Sequence, residues 1–261
     1  MAFDELPINT IICGDNCEVM RKMPSESIDL VVTSPPYDDL RTYGGHSWDF
    51  YGVAWNLKRL LKVGGVIVWN VADATKDGDE TGTSFQQILH FKSIGLRLVD
   101  TMIWNKPPAG ANGSSFCYPQ SAEYMFVISK GAPKTVNRLR DRPNATAGQW
   151  QHKTVGGRAA KFGARAEKPT EITPEFGLRT NVWNMNIGGD GNSHPAVFPE
   201  ALARDHIMSW SNEGDIVLDP FSGSGTTAKM AKHNGRQYIG IEVNPEYVDI
   251  ANKRLEQGVL F

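Results

Sequence analysis

The succession of patterns along the chain predicts an α/β fold in which helices cover both faces of a mostly parallel, seven-stranded sheet. Three observations carry that expectation. Short apolar runs of strand length alternate with stretches of helical periodicity through most of the 261 residues. Two of the runs stop abruptly in turn-forming segments, Ser34-Pro35-Pro36-Tyr37 and Phe221-Ser222-Gly223-Ser224-Gly225, at the carboxyl ends where a parallel sheet carries its functional loops. No internal repeat or low-complexity linker divides the chain, so residues 1–261 are expected to form one domain, with an embedded region at 130–182 of weak periodicity.

In chain order, the first strand is expected near 9–13, where Ile11 and Ile12 lead into Cys13-Gly14-Asp15, and a helix near 16–23 follows. Ile28-Asp29-Leu30-Val31-Val32-Thr33 is a buried-strand pattern. A helix near 52–62 runs into the Leu61-Lys62-Val63-Gly64-Gly65 turn, and the apolar run at 65–71 is the third strand. A helix near 84–94 precedes strands near 97–104 and 122–129, the latter centred on Tyr124-Met125-Phe126-Val127-Ile128. Past the embedded region, a helix near 199–211 starts at Pro199. Asp215-Ile216-Val217-Leu218-Asp219 then reads as a short buried strand, followed by two glycines and a helix at 226–234. A strand at 237–242 closes on Glu242, and the last helix is expected at 245–257.

Composition narrows the function. The start of the chain has neither a basic segment nor an apolar one, and no run approaches 18 apolar residues, so a cytoplasmic protein without a membrane span is expected. Three cysteines, Cys13, Cys17 and Cys117, make no even disulfide framework and no zinc site, and no metal is expected. The net charge of −2 hides an asymmetry. Residues 130–180 hold eleven basic and four acidic side chains, a local surplus of seven positive charges within a stretch rich in Gly, Ala, Asn, Thr and Gln. Such a stretch reads either as a nucleic-acid-binding insert or as a solvated loop. As an insert it offers Arg138, Arg140, Arg142, Lys153, Arg158, Lys161 and Arg165 to phosphates.

The two loops suggest chemistry. Gly223 and Gly225 let the backbone turn tightly and approach a ligand, next to the free N–H groups of a helix start. Glu242, ending the next strand, could bind both hydroxyls of a ribose. By itself this pattern fits a nicotinamide-dinucleotide site, a methyl-donor site or a structural turn equally well. At the other loop, the Ser34 hydroxyl and the Pro35 carbonyl could accept both hydrogens of one planar amino group, with Tyr37 stacking on its ring. The alternative is a Pro-Pro turn that merely closes a strand.

Here the residues resemble the amino-group DNA methyltransferases, which make N4-methylcytosine or N6-methyladenine. The resemblance covers nearly the whole chain: Cys13-Gly14-Asp15, Thr33 to Tyr37, Leu61 to Gly65, Ile103-Trp104-Asn105-Lys106-Pro107, His194 to Pro199, Asp219 to Thr227, and Gly235 to Glu242 with Asn244 to Tyr247. The catalytic motif precedes the cofactor loop, as in the circularly permuted beta group. The resemblance implies a Rossmann-like sheet of the class I methyltransferases, its strands near 97–104 and 122–129 paired antiparallel, and S-adenosylmethionine as cofactor. It implies that Asp219, Phe221, Gly223, Gly225 and Thr226 lie along that cofactor, with Glu242 on its ribose, Asp15 near its adenine, and Pro195 and Phe198 by its methionine portion. Phe198 departs from the lysine common there, as it does in several cytosine-type members. Ser34, Pro35, Pro36 and Tyr37 would be catalytic, with Tyr37 and Trp104 walling the base pocket, although a Trp ending a strand can equally be core.

The reaction so implied extrudes a base from duplex DNA and passes a methyl group to its exocyclic amine, without a metal or covalent enzyme intermediate. No Pro-Cys dipeptide occurs, which sets aside C5 methylation of cytosine. A serine rather than an acid or amide at position 34 favours cytosine N4 over adenine N6. The segment 38–45, with Gly44 and Gly45, would close over the pocket or form a solvated turn. The expected partner is double-stranded DNA; a cognate restriction endonuclease, as in restriction-modification systems, and assembly as a monomer or homodimer are further expectations. An NAD-dependent oxidoreductase leaves the serine loop and the basic stretch without a role. A methyltransferase for RNA or protein, and a catalytically silent DNA-binding relative, stay open.

Overall fold

The computed structural model describes residues 3, 5–36, 48–106, 117–152, 170–186 and 199–256. It divides into two units, Met1–Asn137 with Asn181–Phe261, and Arg138–Thr180. The larger unit begins with β1 (Thr10–Cys13), α1 (Asn16–Lys22), β2 (Ile28–Thr33), α2 (Phe50–Leu60) and β3 (Leu61–Val71). The short strands β4 (Thr75–Lys76) and β5 (Asp79–Glu80) follow, then α3 (Thr83–Ser93), β6 (Arg97–Asn105) and β7 (Ala122–Ser129). The smaller unit holds β8 (Arg142–Pro143), β9 (Trp150–His152), β10 (Thr170–Ile172) and β11 (Phe176–Gly177). The larger unit resumes with β12 (Val182–Asn184), α4 (Glu200–Trp210), β13 (Ile216–Asp219), α5 (Thr226–His233), β14 (Gln237–Glu242) and α6 (Pro245–Glu256).

Eight strands form one sheet in the order β1-β14-β13-β2-β3-β7-β6-β12. Among the described residues, β7 is the one strand that runs against its neighbours, pairing antiparallel with both β3 and β6; the remaining pairs are parallel. The expected antiparallel pairing of the fourth and fifth runs is therefore present. The expected count of seven strands is corrected to eight in this sheet among the described residues. The eighth, β12, is only three residues long and shows no period of its own; Val182, Trp183 and Asn184 become a strand by pairing with Ile103, Trp104 and Asn105 at the edge of β6. The second helix, expected to reach 62, stops at Leu60, because Leu61 takes an extended backbone and pairs with Ile28 of β2.

The strand order fixes where the loops meet. The chain leaves β2 for β3 on one side of the sheet and leaves β13 for β14 on the other, so the adjacent β2 and β13 form the switch point. A crevice opens at the carboxyl ends of such a pair, where neighbouring connections diverge. The segments after Thr33 and after Asp219 both emerge there.

Two helical layers enclose the sheet. On one side Val19 and Met20 of α1, Val53, Leu57 and Leu60 of α2, and Ile88 and Phe91 of α3 pack with Ile28, Ile67, Trp69 and Phe126 of the strands. In the other group, α5 touches α4 and α6, and Leu202, Ala203, Ala228, Ala231 and Ala251 are buried. Side-chain caps start the first layer: Asp15 Oδ1 accepts the Glu18 N–H at the head of α1, and Asp49 Oδ1 the Gly52 N–H at the head of α2, satisfying donors the helices leave unpaired. Among the described residues no helix is long and apolar enough to cross a membrane.

In the smaller unit β8 pairs with β11 and β9 with β10, both antiparallel. Its strand positions Trp150, Ile172 and Phe176 are exposed. Polar links tie it together: Arg179 pairs with Asp141, Arg142 Nε donates to the Leu178 carbonyl at 3.1 Å, and Asn144 Nδ2 to the Pro174 carbonyl at 2.9 Å. Lys130, counted with the basic stretch in the sequence, belongs to the larger unit, where its Nζ donates to the Leu61 carbonyl and pairs with Glu26.

Candidate active site at the switch point

Thr33 and Asp219, the last residues of β2 and β13, are buried and joined: Thr33 Oγ1 donates to Asp219 Oδ1 at 2.7 Å. The same oxygen accepts the Phe221 N–H at 3.1 Å. Burial pushes the Asp219 carboxyl up to about 6; hydrogen bonds from Thr33, the Phe221 backbone and Thr227 pull it back down, and the Glu242 charge adds a smaller upward push. This bond locks the ends of two strands that are distant in sequence, so both loops start from one fixed point.

The glycine loop continues from there. Ser222 N–H donates to the Ile241 carbonyl at 2.9 Å, and Gly223 N–H to Glu242 Oε2 at 2.8 Å. Glu242 Oε1 accepts the Asn244 N–H at 2.9 Å, so each carboxylate oxygen holds one backbone donor and keeps a lone pair for another. Gly225, with φ +79°, caps α5, and a Cβ there would stand 2.8 Å from that of Ala251 in α6. Gly223, with φ +49°, is different: among the described residues a Cβ there would meet nothing within 4 Å. Arg254 anchors the loop from behind, donating to the Ser224 carbonyl and hydroxyl and to Glu200, which also pairs with Lys229. Thr226 Oγ1 accepts a hydrogen bond from the same guanidinium at 3.3 Å. Asp15, besides capping α1, sits just past β1, whose Cys13 is in register with Glu242. Phe221 packs edge-on against Trp48, ring centroids 5.0 Å apart.

At the other loop Pro35 is buried and Ser34 and Pro36 are half-buried. Asn70 of β3 extends Nδ2 to within 3.5 Å of Ser34 Oγ, and the same nitrogen donates to Glu123 Oε2 of β7 at 2.7 Å. Glu123 Oε1 accepts from Lys106 Nζ at 2.6 Å. Of these three residues only Lys106 falls in a motif of the sequence, Ile103-Trp104-Asn105-Lys106-Pro107; the signal for Asn70 is a lone asparagine inside Val66-Ile67-Val68-Trp69-Asn70-Val71, and Glu123 has none.

Trp104 does not stand beside Ser34. It lies buried on β6, with β3 and β7 between it and β2, roughly 14 Å across the sheet at the usual strand spacing. Its Nε1 donates to the Met185 carbonyl at 2.9 Å, and Lys106 lies over its ring at 5.3 Å. The aromatic aligned with Thr33 is Trp69, buried and bonded to Gln87. Of the expected phosphate contacts, Arg138, Arg140 and Arg142 are exposed in the smaller unit. Tyr37, the segment 38–45, Pro195, Phe198, Lys153, Arg158, Lys161 and Arg165 lie outside the described residues. Among those described, no cluster of His, Cys, Asp or Glu could hold a metal ion.

The residues fit a nucleoside cofactor. Among the described residues the space at Gly223 is open and Ser222 Oγ is buried without a hydrogen-bond partner, and Glu242 faces the same loop with acceptor capacity to spare. A glycine loop of this kind at the switch point of a mostly parallel sheet defines an α/β enzyme of the nucleotide-binding class.

Comparison with known proteins narrows the class. The sequence profile of the N6/N4 methyltransferases, described as DNA methylase, matches residues 28–253. The orphan methyltransferase M.BamHII of Bacillus amyloliquefaciens is 49% identical over 245 residues, spanning 90% of this chain and 91% of its own. Among solved structures, the cytosine-N4-specific PvuII DNA methyltransferase superposes with a TM-score of 0.67 at 24% identity, covering 94% of this chain and 85% of its own. A DNA modification methylase of Thermus thermophilus, solved with S-adenosyl-L-methionine, gives a TM-score of 0.61 at 24% identity over 94% of this chain and 93% of its own. The chain belongs to the N6/N4 DNA methylase family and is a DNA amino-methyltransferase.

Proposed function

We propose that this DNA amino-methyltransferase takes its methyl group from S-adenosylmethionine and places it on the exocyclic N4 of a cytosine extruded from duplex DNA. The observation that carries the reading is the serine loop emerging beside the glycine loop at one switch point, tied by the Thr33–Asp219 bond. S-adenosylmethionine, when bound, supplies an electrophilic methyl on a sulfonium sulfur. Glu242 takes the ribose hydroxyls, the Gly223 backbone lines the cofactor, and Phe221, Asp15 and Thr226 complete its surroundings. Ser34 Oγ and the Pro35 carbonyl accept the two amine hydrogens, so the nitrogen lone pair leaves conjugation with the ring and points in line at the methyl. As the C–N bond forms and the S–C bond breaks, the surplus amine proton departs through those oxygens to water. Tyr37 and Pro36 hold the base.

Ser34 supports cytosine, since a small hydroxyl leaves room beside the amine where an acid or amide would crowd it. The order of the two loops along the chain supports the permuted, beta-group arrangement. The exposed Arg138, Arg140 and Arg142, within a stretch of surplus positive charge, support target recognition by the region 130–182. Replacing Ser34 with Ala is expected to lower turnover by about 10²–10³-fold, while the affinity for S-adenosylmethionine in a calorimetric titration stays unchanged. Full activity of that variant would remove Ser34 from the mechanism.

A further inference from the structure

Asn70 is fully buried inside the otherwise apolar run from Val66 to Val71 of β3, a costly place for an amide unless its hydrogen bonds are made. It is the middle of a polar line that crosses the sheet at the active-site end: Ser34 past β2, Asn70 on β3, Glu123 on β7 and Lys106 past β6. A carboxylate only accepts, so Glu123 dictates which way the amide faces: the NH₂ group must point at it. One hydrogen of Asn70 Nδ2 goes to Glu123 at 2.7 Å, and the other is directed at Ser34 Oγ, 3.5 Å away. Lys106, 2.6 Å from the other carboxylate oxygen, balances the charge of Glu123 and holds it from behind.

We propose that Asn70, oriented by Glu123, is a positioning residue that sets the direction of the Ser34 hydroxyl for methyl transfer. The proposal rests on the reading of Ser34 as the group that grips the target amine. A hydroxyl oxygen has two lone pairs and one proton. With the Asn70 N–H on one lone pair, the proton is turned aside and the other lone pair can face an amine hydrogen. Without that donor one constraint on the direction of the hydroxyl is lost, and its proton can turn toward the amine, where it repels. The 3.5 Å separation is at the outer limit of a hydrogen bond, and contacts of this kind shorten when substrate arrives.

A merely structural network would lose stability or cofactor affinity on mutation, whereas a positioning device acts through Ser34. The test is therefore a double-mutant cycle, read as the single-turnover rate of methyl transfer to duplex DNA with enzyme in excess. Glu123→Gln is expected to slow transfer at least about tenfold, with the dissociation constants for S-adenosylmethionine and DNA unchanged, and to have no further effect on Ser34→Ala. Asn70→Leu, which keeps the volume and removes the donor, should behave the same and carries the test if Glu123→Gln folds poorly. An equal slowing in the Ser34→Ala background, or wild-type rates in both single variants, would overturn the positioning role alone. A wild-type protein that binds the cofactor but transfers no methyl to DNA would overturn the proposed function, and this role with it.

Discussion

Asp219 shows how one buried acid serves the site at a cost to stability. Its carboxyl is raised to about 6 from an ordinary 3.8, chiefly by burial. With the folded value above the unfolded one, the native state holds the proton more tightly. The contribution of this residue to stability is therefore fullest below about pH 4 and is lost as the pH rises through about 6, a difference of about 2–3 kcal/mol. Asp219→Asn keeps an oxygen for Thr33 and the Phe221 N–H but cannot ionise. Urea unfolding from pH 4 to 7 should show the variant gaining on the wild type as the pH rises. Parallel curves would mean that Asp219 does not titrate in this range. A second contrast concerns neighbouring glycines. Gly223→Ala adds a methyl where no described residue lies within 4 Å, so it should cost only about 1 kcal/mol of stability from its positive φ, yet, on the proposed cofactor placement, weaken S-adenosylmethionine at least about tenfold. Gly225→Ala instead drives a methyl against Ala251 and should lower stability by about 1–3 kcal/mol. Thermal and urea unfolding beside cofactor titration separate the two.

At the scale of elements, the helical layers supply much of the rigidity that fixes both loops. Leu57 of α2 is fully buried among α1 and the strands, and Leu57→Ala should cost about 2–5 kcal/mol in urea unfolding. The same scale explains what was readable from sequence. Strands ending in Ser34-Pro35-Pro36 or in Gly223 and Gly225 announce themselves because their turn chemistry is local, and six helices follow from periodicity within a residue or two at most ends. The polar line was not readable, because Asn70 and Glu123 are 53 residues apart in sequence and meet only through the antiparallel pairing of β3 with β7. Trp104 stands at a strand end as expected, but its place three strands from β2 depends on strand order, which the local sequence does not carry. β12 escaped notice since its pairing comes from β6 rather than from its own three residues.

For the whole molecule, the division of charge should govern the DNA half of the reaction and leave the cofactor half alone. Replacing Arg138, Arg140 and Arg142 together with Ala should weaken duplex binding and reduce the slope of log affinity against log salt by about 0.9 for each phosphate no longer neutralised. The affinity for S-adenosylmethionine should not move. An unchanged salt slope would take these arginines off the DNA-binding surface. The central claim, that a serine at the end of β2 aims a cytosine amine at the donor methyl, is tested most directly by its product. Protein incubated with labelled S-adenosylmethionine and unmethylated mixed-sequence duplex DNA, followed by digestion to nucleosides and mass analysis, should yield N4-methylcytosine. N6-methyladenine would contradict the assignment of the base to Ser34, and the absence of any methylated nucleoside despite cofactor binding would contradict the reaction itself.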